Sequence, residues 1–104
     1  MDDIYTAQPL TDLIDVTTQE QEISWNKNNN QYIEFVFDNQ SNEIMMIKLM
    51  NDDYTKTIKL SANSFIGFKQ VGIILIKVST MSGSGKLFYI FQGYQKGKSW
   101  GGDN

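Results

Sequence analysis

The sequence contains no cysteine, no histidine and no arginine, and it has one proline among its 104 residues. Without cysteine it can form neither a disulfide bond nor a thiolate metal site. Without histidine it lacks the side chain that most often serves as a general base or a metal ligand near neutral pH. Without arginine it lacks the planar cation that binds phosphate through paired hydrogen bonds. These absences predict that the protein is not an enzyme and that it binds no metal and no cofactor.

The charged residues form no block of one sign, and the net charge is −3. Binding to nucleic acid depends on clustered cations, so the sequence predicts no nucleic-acid partner. The longest apolar runs, "IILI" and "FYIF", are too short to cross a bilayer, and we expect no membrane-spanning segment. The first residues, "MDDIYTAQPL", are acidic and lack the hydrophobic stretch of a signal peptide. We therefore expect a protein that is made and retained in a cytosol, or assembled there into something larger.

The abundant residues favour β-strands. The 12 isoleucines and 13 aromatic residues suit the pleated, half-buried surface of a sheet. Residues 31–38, "QYIEFVFD", alternate most clearly, with Ile33, Phe35 and Phe37 on one side. Further strands are predicted at 12–17, 21–25, 43–50, 54–60, 64–69, 72–79 and 86–92. Together they predict an antiparallel β-sandwich or jelly roll of about eight short strands. A helix over 43–50 is the alternative for that segment, because Met, Leu and Lys favour helices.

The two ends of the sequence differ from its middle. Residues 1–11 have little periodicity and predict an extended N-terminal arm. Residues 12–94 predict a single β-sandwich domain, and the glycine-rich residues 95–104 predict a flexible tail. Gly67, inside a predicted strand, is expected to mark a bulge.

The polar stretches between the predicted strands are typical of turns. "NQSN" (39–42) and "MSGSG" (81–85) predict hairpin loops, and "NDD" (51–53) predicts a tight turn. Gly83 and Gly85 are expected to supply the positive φ angles with which the chain reverses.

One loop shares letters with a nucleotide-binding motif. In a phosphate-binding loop, the "GSGK" at 83–86 would need a glycine where Thr80 stands, a hydroxyl residue where Leu87 stands, and a following helix. A strand is predicted there instead, so we interpret the stretch as a connecting loop. Asp52 and Asp53 lack the spaced acids of a calcium loop and are interpreted as turn residues.

The second half of the chain resembles a known group of proteins. The segments "TIKLSANSFIGF", "VGIILIKVST" and "GSGKLFYIFQGY" carry the resemblance, which covers residues 55–94. They look like the small β-sandwich accessory proteins of tailed-phage virions, which include capsid decoration, head-fibre and tail-adaptor modules. The resemblance implies a structural virion protein that assembles in the host cytoplasm. Its implied partners are other virion proteins, either as a homo-oligomer or as a symmetric shell that it binds.

The candidate contact residues are methionines and one tryptophan. Because segment 43–50 is apolar on both faces, Met45, Met46 and Met50 are candidates for an adaptable interface. Trp100 is a further candidate, since an aromatic residue in a polar tail often docks on something. The alternative is that the chain covers these residues itself.

A glycan-binding module is the alternative function. Aromatic rings that stand side by side on a sandwich stack on sugars, and Trp25, Tyr32 and Tyr94 are the candidates for this role. Large aromatics at strand spacing also supply core packing, which is the competing interpretation.

Overall fold

The computed structural model describes residues 5–7, 10–23, 30–70 and 72–96, together with the side chains of residues 10–23, 34–70 and 72–93. This part of the chain is all-β, as the sequence predicts, and contains no helix. In segment 43–50, residues 45–50 form a strand, and no part of the segment is helical. The nine strands are β1 (Tyr5–Ala7), β2 (Leu10–Val16), β3 (Gln21–Ile23), β4 (Asn30–Asn39), β5 (Met45–Met50), β6 (Thr55–Leu60), β7 (Phe65–Lys69), β8 (Leu75–Thr80) and β9 (Gly85–Lys96).

The strands form two antiparallel sheets. The five-stranded sheet has β9 and β4 at its centre, with β7 beside β4 and with both β1 and β2 beside β9. The four-stranded sheet has the order β3-β8-β5-β6. The pairs β2·β9, β3·β8, β4·β7 and β5·β6 are nested, so the chain is one long hairpin rolled into a sandwich. This is the jelly-roll arrangement, one of the two architectures that the strand pattern predicts.

Strands β1 and β2 lie along β9 in one continuous register. Tyr5 is opposite Lys96, Leu10 is opposite Phe91 and Val16 is opposite Gly85, with no slip between the two strands. The sheet thus includes residues of the predicted arm, 1–11, and it extends two residues into the predicted tail. The N-terminal strand is part of the sandwich and not an appendage to it.

The core lies between the inward faces of the two sheets. Phe35 and Phe37 of β4 have no exposed surface, which confirms the alternation predicted for that strand. The ring of Phe91 packs edge-on against both, at centroid distances of 5.0 and 5.4 Å. Full burial of each such side chain contributes about 1.5–3 kcal/mol. The other fully buried apolar side chains are Val16, Met45, Ile47, Leu49, Ile76, Val78 and Leu87.

Two predicted hairpins are crossings between the sheets. The 39–42 loop leads from β4 in the five-stranded sheet to β5 in the four-stranded sheet, and the 81–85 stretch leads from β8 back to β9. Both predictions of a hairpin were wrong, because turn residues serve an arch between sheets as well as a hairpin. The turn at 51–53 is confirmed, since β5 and β6 pair directly. Within it, the side-chain oxygen of Asn51 accepts hydrogen bonds from two backbone N–H groups.

Of the three glycines with a role predicted from the sequence, only Gly83 has the predicted conformation. Gly83 has a φ of 66°, as predicted, whereas Gly85 does not have a positive φ. Gly85 is required for another reason, because a Cβ there would collide with the Ser41 side chain. Gly67 pairs with Val36 in regular register, so it marks no bulge.

A different strand pair does contain an irregularity. The register between β4 and β9 shifts between Tyr32 and Glu34. Tyr54, the first residue of the strand predicted at 54–60, stands in the turn before β6 and is 38% exposed. Its hydroxyl accepts a hydrogen bond from the side chain of Gln70 at 2.7 Å.

The buried side chain of Asn39 forms hydrogen bonds to two connections at one end of the sandwich. It has no exposed surface, and its amide nitrogen donates to the carbonyl oxygens of Glu43 (2.6 Å), Ser61 (3.0 Å) and Leu60 (3.3 Å). Its carbonyl oxygen accepts a hydrogen bond from the Ser41 hydroxyl at 2.6 Å. One buried amide thus joins the β4–β5 crossing to the β6–β7 crossing.

We expect Asn39→Ala to lower the free energy of unfolding by about 2–3 kcal/mol, because it leaves buried carbonyl groups without a donor. Urea denaturation measures this change. The matched control is Gln40→Ala, which truncates the exposed neighbouring amide and should cost less than about 0.5 kcal/mol. Equal stabilities of the two variants would contradict the role assigned to Asn39.

Candidate interaction surface

The outer face of the five-stranded sheet carries a contiguous apolar surface. Side chains alternate between the two faces of a strand, so residues directly opposite each other in the register share a face. The register places Phe88 between Leu13 and Asp38, with Phe65 beyond Asp38. In the next row, Ile90 lies between Thr11 and Val36, with Gly67 beyond Val36. We call the apolar members of these two rows the front patch: Leu13, Val36, Phe65, Phe88 and Ile90.

Two members of the front patch are strongly exposed to solvent. Phe65 is 75% exposed and Leu13 is 48% exposed, while the other three members are half-buried and lie between them. Single exposed apolar residues are ordinary, whereas apolar residues grouped in neighbouring rows of a sheet are a candidate interaction site. Asp38 stands in the middle of the same row and accepts a hydrogen bond from the exposed Gln40 amide at 3.0 Å.

A smaller apolar cluster lies on the outer face of the four-stranded sheet. Met46 of β5 is opposite Ser79 on one side and opposite Lys59 on the other. One row further along, the Met81 N–H donates to the carbonyl of Ile44 at 2.9 Å, which sets these two residues opposite each other. Met81 is 55% exposed and Ile44 is 38% exposed. We call Ile44, Met46 and Met81 the back patch.

A carboxylate balances two lysines beside the back patch. Lys48 and Lys77 are directly opposite each other on neighbouring strands, a pairing of like charges that is unfavourable by itself. Glu20 bridges them, with its carboxylate oxygens 2.7 Å from the Lys48 Nζ and 3.9 Å from the Lys77 Nζ. The hydrogen bond from Lys48 is the main reason that the pKa of Glu20 lies below its ordinary value of 4.5.

The structure separates the three methionine candidates. Met45 faces the core and has no exposed surface, so it takes no part in an interface of the folded chain. Met46 and Met50 face outward on β5 and are half-buried, with Lys48 between them. Only Met46 adjoins the exposed apolar residues of the back patch.

The aromatic candidates fall outside the described side chains. Trp25 and Trp100 lie outside the described residues altogether. The backbone of Tyr32 pairs with Gly93, and that of Tyr94 pairs with Gln31 and Ala7.

Sequence reasoning missed the front patch, although a signal for it was present. The segment "KLFYIFQ" is apolar at successive positions, like segment 43–50, and so predicts a strand whose two faces are both covered. Leu13 and Phe65 join this surface only through pairing with distant parts of the chain. Their contribution appears only once the register is known.

Among the described side chains, no group of three or more acidic residues could hold a metal ion. Burial raises the pKa of Tyr89, and the Asp12 carboxylate opposite it acts in the same direction. Tyr89 nevertheless stacks on Phe91 at 4.7 Å as part of the core. In the described part of the chain, no helix has the length and apolar character needed to span a membrane.

We expect Lys48→Met to raise the pKa of Glu20 towards its ordinary value, as followed by an NMR titration of the side-chain carbonyl. A lowered carboxyl pKa means that the ion pair stabilises the fold above the unfolded-state pKa. That contribution is lost as the pH falls through the folded-state pKa. Lys86→Met is the control, because Lys86 contacts Asp15 instead, at 2.6 Å. An unchanged Glu20 titration in Lys48→Met would refute the assignment.

No protein-family model and no curated protein matches the sequence. Among solved structures, the fold is similar to that of a protein from Bacillus endospore appendages, which form a novel family of disulfide-linked pili. The likeness has a TM-score of 0.58 and covers 88% of this chain and 89% of that chain, at 14% sequence identity. At this level of identity, the likeness shows that the two chains share a fold.

Proposed function

We propose that this protein is a non-enzymatic structural subunit that works by packing against other subunits of a larger particle. The front patch is the observation that carries the proposal. Five apolar side chains lie in two neighbouring rows on the outer face of a sheet whose inner face already supplies the core. A solvated surface has no need of them, whereas an interface gains stability by burying them.

The similar solved structure supports an assembly role. It comes from appendages that are described as disulfide-linked pili. The 104 residues of the present chain contain no cysteine, so they cannot form that covalent link. Contacts between these residues and a neighbouring subunit therefore depend on noncovalent packing, which is what an exposed apolar face provides.

The finer proposal is that the particle is a phage virion, with the protein as a capsid decoration, head-fibre or tail-associated component. It rests on the resemblance of residues 55–94 to virion accessory proteins. A pilus and a virion require the same physical properties of a subunit, namely a rigid body and faces that fit a neighbour. The glycan-binding alternative rests on Trp25, Tyr32 and Tyr94, whose side chains lie outside the described ones, and it stays a prediction.

We expect the purified protein to self-associate reversibly with rising concentration in sedimentation-velocity experiments. Leu13→Ser combined with Phe65→Ser should weaken this association at least about tenfold. These substitutions remove two apolar side chains whose burial contributes about 1.5–3 kcal/mol each. Because both side chains are exposed in the single chain, the double variant should keep the stability of the wild type to within about 1 kcal/mol.

The matched control is Tyr54→Ser combined with Ile74→Ser. These residues are 38% and 40% exposed and lie at the opposite end of the sandwich from Phe65 and Leu13. The control variant should associate like the wild type. A wild-type protein that stays monomeric up to about 1 mM would count against the proposed function, as would an equal loss of association in both double variants.

A further inference from the structure

We propose that the occupant of the front patch is the back patch of a second copy of this chain, so that copies stack front to back. This inference rests on the proposed function and names the partner. Three observations carry it: the charge left over on each outer face, the position of both patches at one end of the sandwich, and the chemistry of the two apolar surfaces.

The front patch is left with an acid. On the outer face of the five-stranded sheet, the Lys86 Nζ lies 2.6 Å from an Asp15 carboxylate oxygen, so that pair is balanced. Glu34 is directly opposite Lys69 in the register, which balances the row at the other margin. Asp38 lies between these rows among apolar side chains, with the neutral Gln40 amide as its hydrogen-bond donor.

The back patch is left with a cation. On the outer face of the four-stranded sheet, Glu20 bridges Lys48 and Lys77, and Glu22 is directly opposite Lys77. Lys59 is one row away from this cluster, directly opposite Met46 and next to the back patch. Within the strand rows, each apolar surface therefore has one charged residue left over, Asp38 on the front and Lys59 on the back, and the two charges have opposite sign. The Glu43 carboxylate lies on the adjoining crossing, where it accepts a hydrogen bond from the Ser82 hydroxyl at 2.8 Å.

Contacts between like patches are disfavoured by the same charges. If two front patches met face to face, two Asp38 carboxylates would enter one dehydrated contact, where like charges repel strongly. Two back patches would likewise bring two Lys59 ammonium groups together. A front-to-back contact instead pairs Asp38 of one copy with Lys59 of the next. This attraction offsets part of the free-energy cost of dehydrating both charges.

The two patches lie at the same end of the sandwich, on opposite outer faces. Asp38 and Ile44 flank the β4–β5 crossing, and Met81 and Phe88 flank the β8–β9 crossing. A copy that docks its front patch on a neighbour leaves its own back patch available for the next copy. Such a heterologous contact repeats and builds a row of subunits or a ring.

The chemistry of the two surfaces suits this contact. The front patch supplies rigid aromatic rings, above all Phe65, which lose little conformational entropy when they are buried. The back patch supplies two methionines, which are flexible and polarizable enough to adapt to the shape of those rings.

A charge-exchange experiment tests the proposal with four proteins. Asp38→Lys and Lys59→Glu should each weaken self-association at least about tenfold, because each opposes two like charges at the contact. An equimolar mixture of the two variants should associate again, since the altered front of one matches the altered back of the other. The chain carrying both substitutions should associate like the wild type for the same reason.

The matched controls are Asp52→Lys, in the exposed turn at the other end of the sandwich, and Lys56→Glu, whose side chain alternates to the opposite face of β6 from Lys59. Both should associate like the wild type. If Lys59→Glu associates normally while Leu13→Ser with Phe65→Ser does not, the front patch has a different occupant. The stacking proposal is then wrong, although the proposed function stands. A monomeric wild type overturns both.

Discussion

Strand β9, at the centre of the five-stranded sheet, is apolar on both faces over residues 87–91, and the proposed association of the protein depends on this. On β9, Leu87, Tyr89 and Phe91 point into the sandwich, while Phe88 and Ile90 point away from it. Burial of the inward set drives folding, because it removes large apolar surfaces from water. The outward set contributes little of this kind in a single folded chain. These side chains become buried only when another surface covers the sheet. The same strand that builds the core therefore also favours association.

The nested pairing explains why that outer face is built from distant parts of the chain. The strand that holds Leu13 lies beside the one that holds Phe88, and β7, which holds Phe65, pairs with the other central strand. Such long-range pairing is typical of slow folding for a domain of this size, because chain entropy is lost in bringing distant segments together before their contacts form. The buried Asn39 amide helps to fix the result, since it holds two of the crossings between sheets in one arrangement.

The sequence predicts the strands well because apolar periodicity reports directly on burial at each position. The alternation around Phe35 becomes a strand as expected, and residues 45–50 of the two-sided segment also form a strand, although its outer face is only half-buried. The connections are harder, because Asn, Ser and Gly serve hairpins and inter-sheet arches equally well. The pattern also indicates that Met45 and Met46 face opposite ways without saying which faces inward. The front patch required the strand register, which depends on the packing of the whole chain and on no local signal.

The most direct test of the central claim is a dilution series followed by NMR of the methyl and aromatic side chains. If the outer face of the five-stranded sheet is an interface, the resonances of Leu13, Phe65 and Ile90 should shift or broaden as the protein concentration rises. Those of Ile74, which is 40% exposed and lies at the other end of the sandwich, should not change. Resonances of the front patch that stay constant over the whole concentration range would contradict the account, because this face would then be permanently solvated.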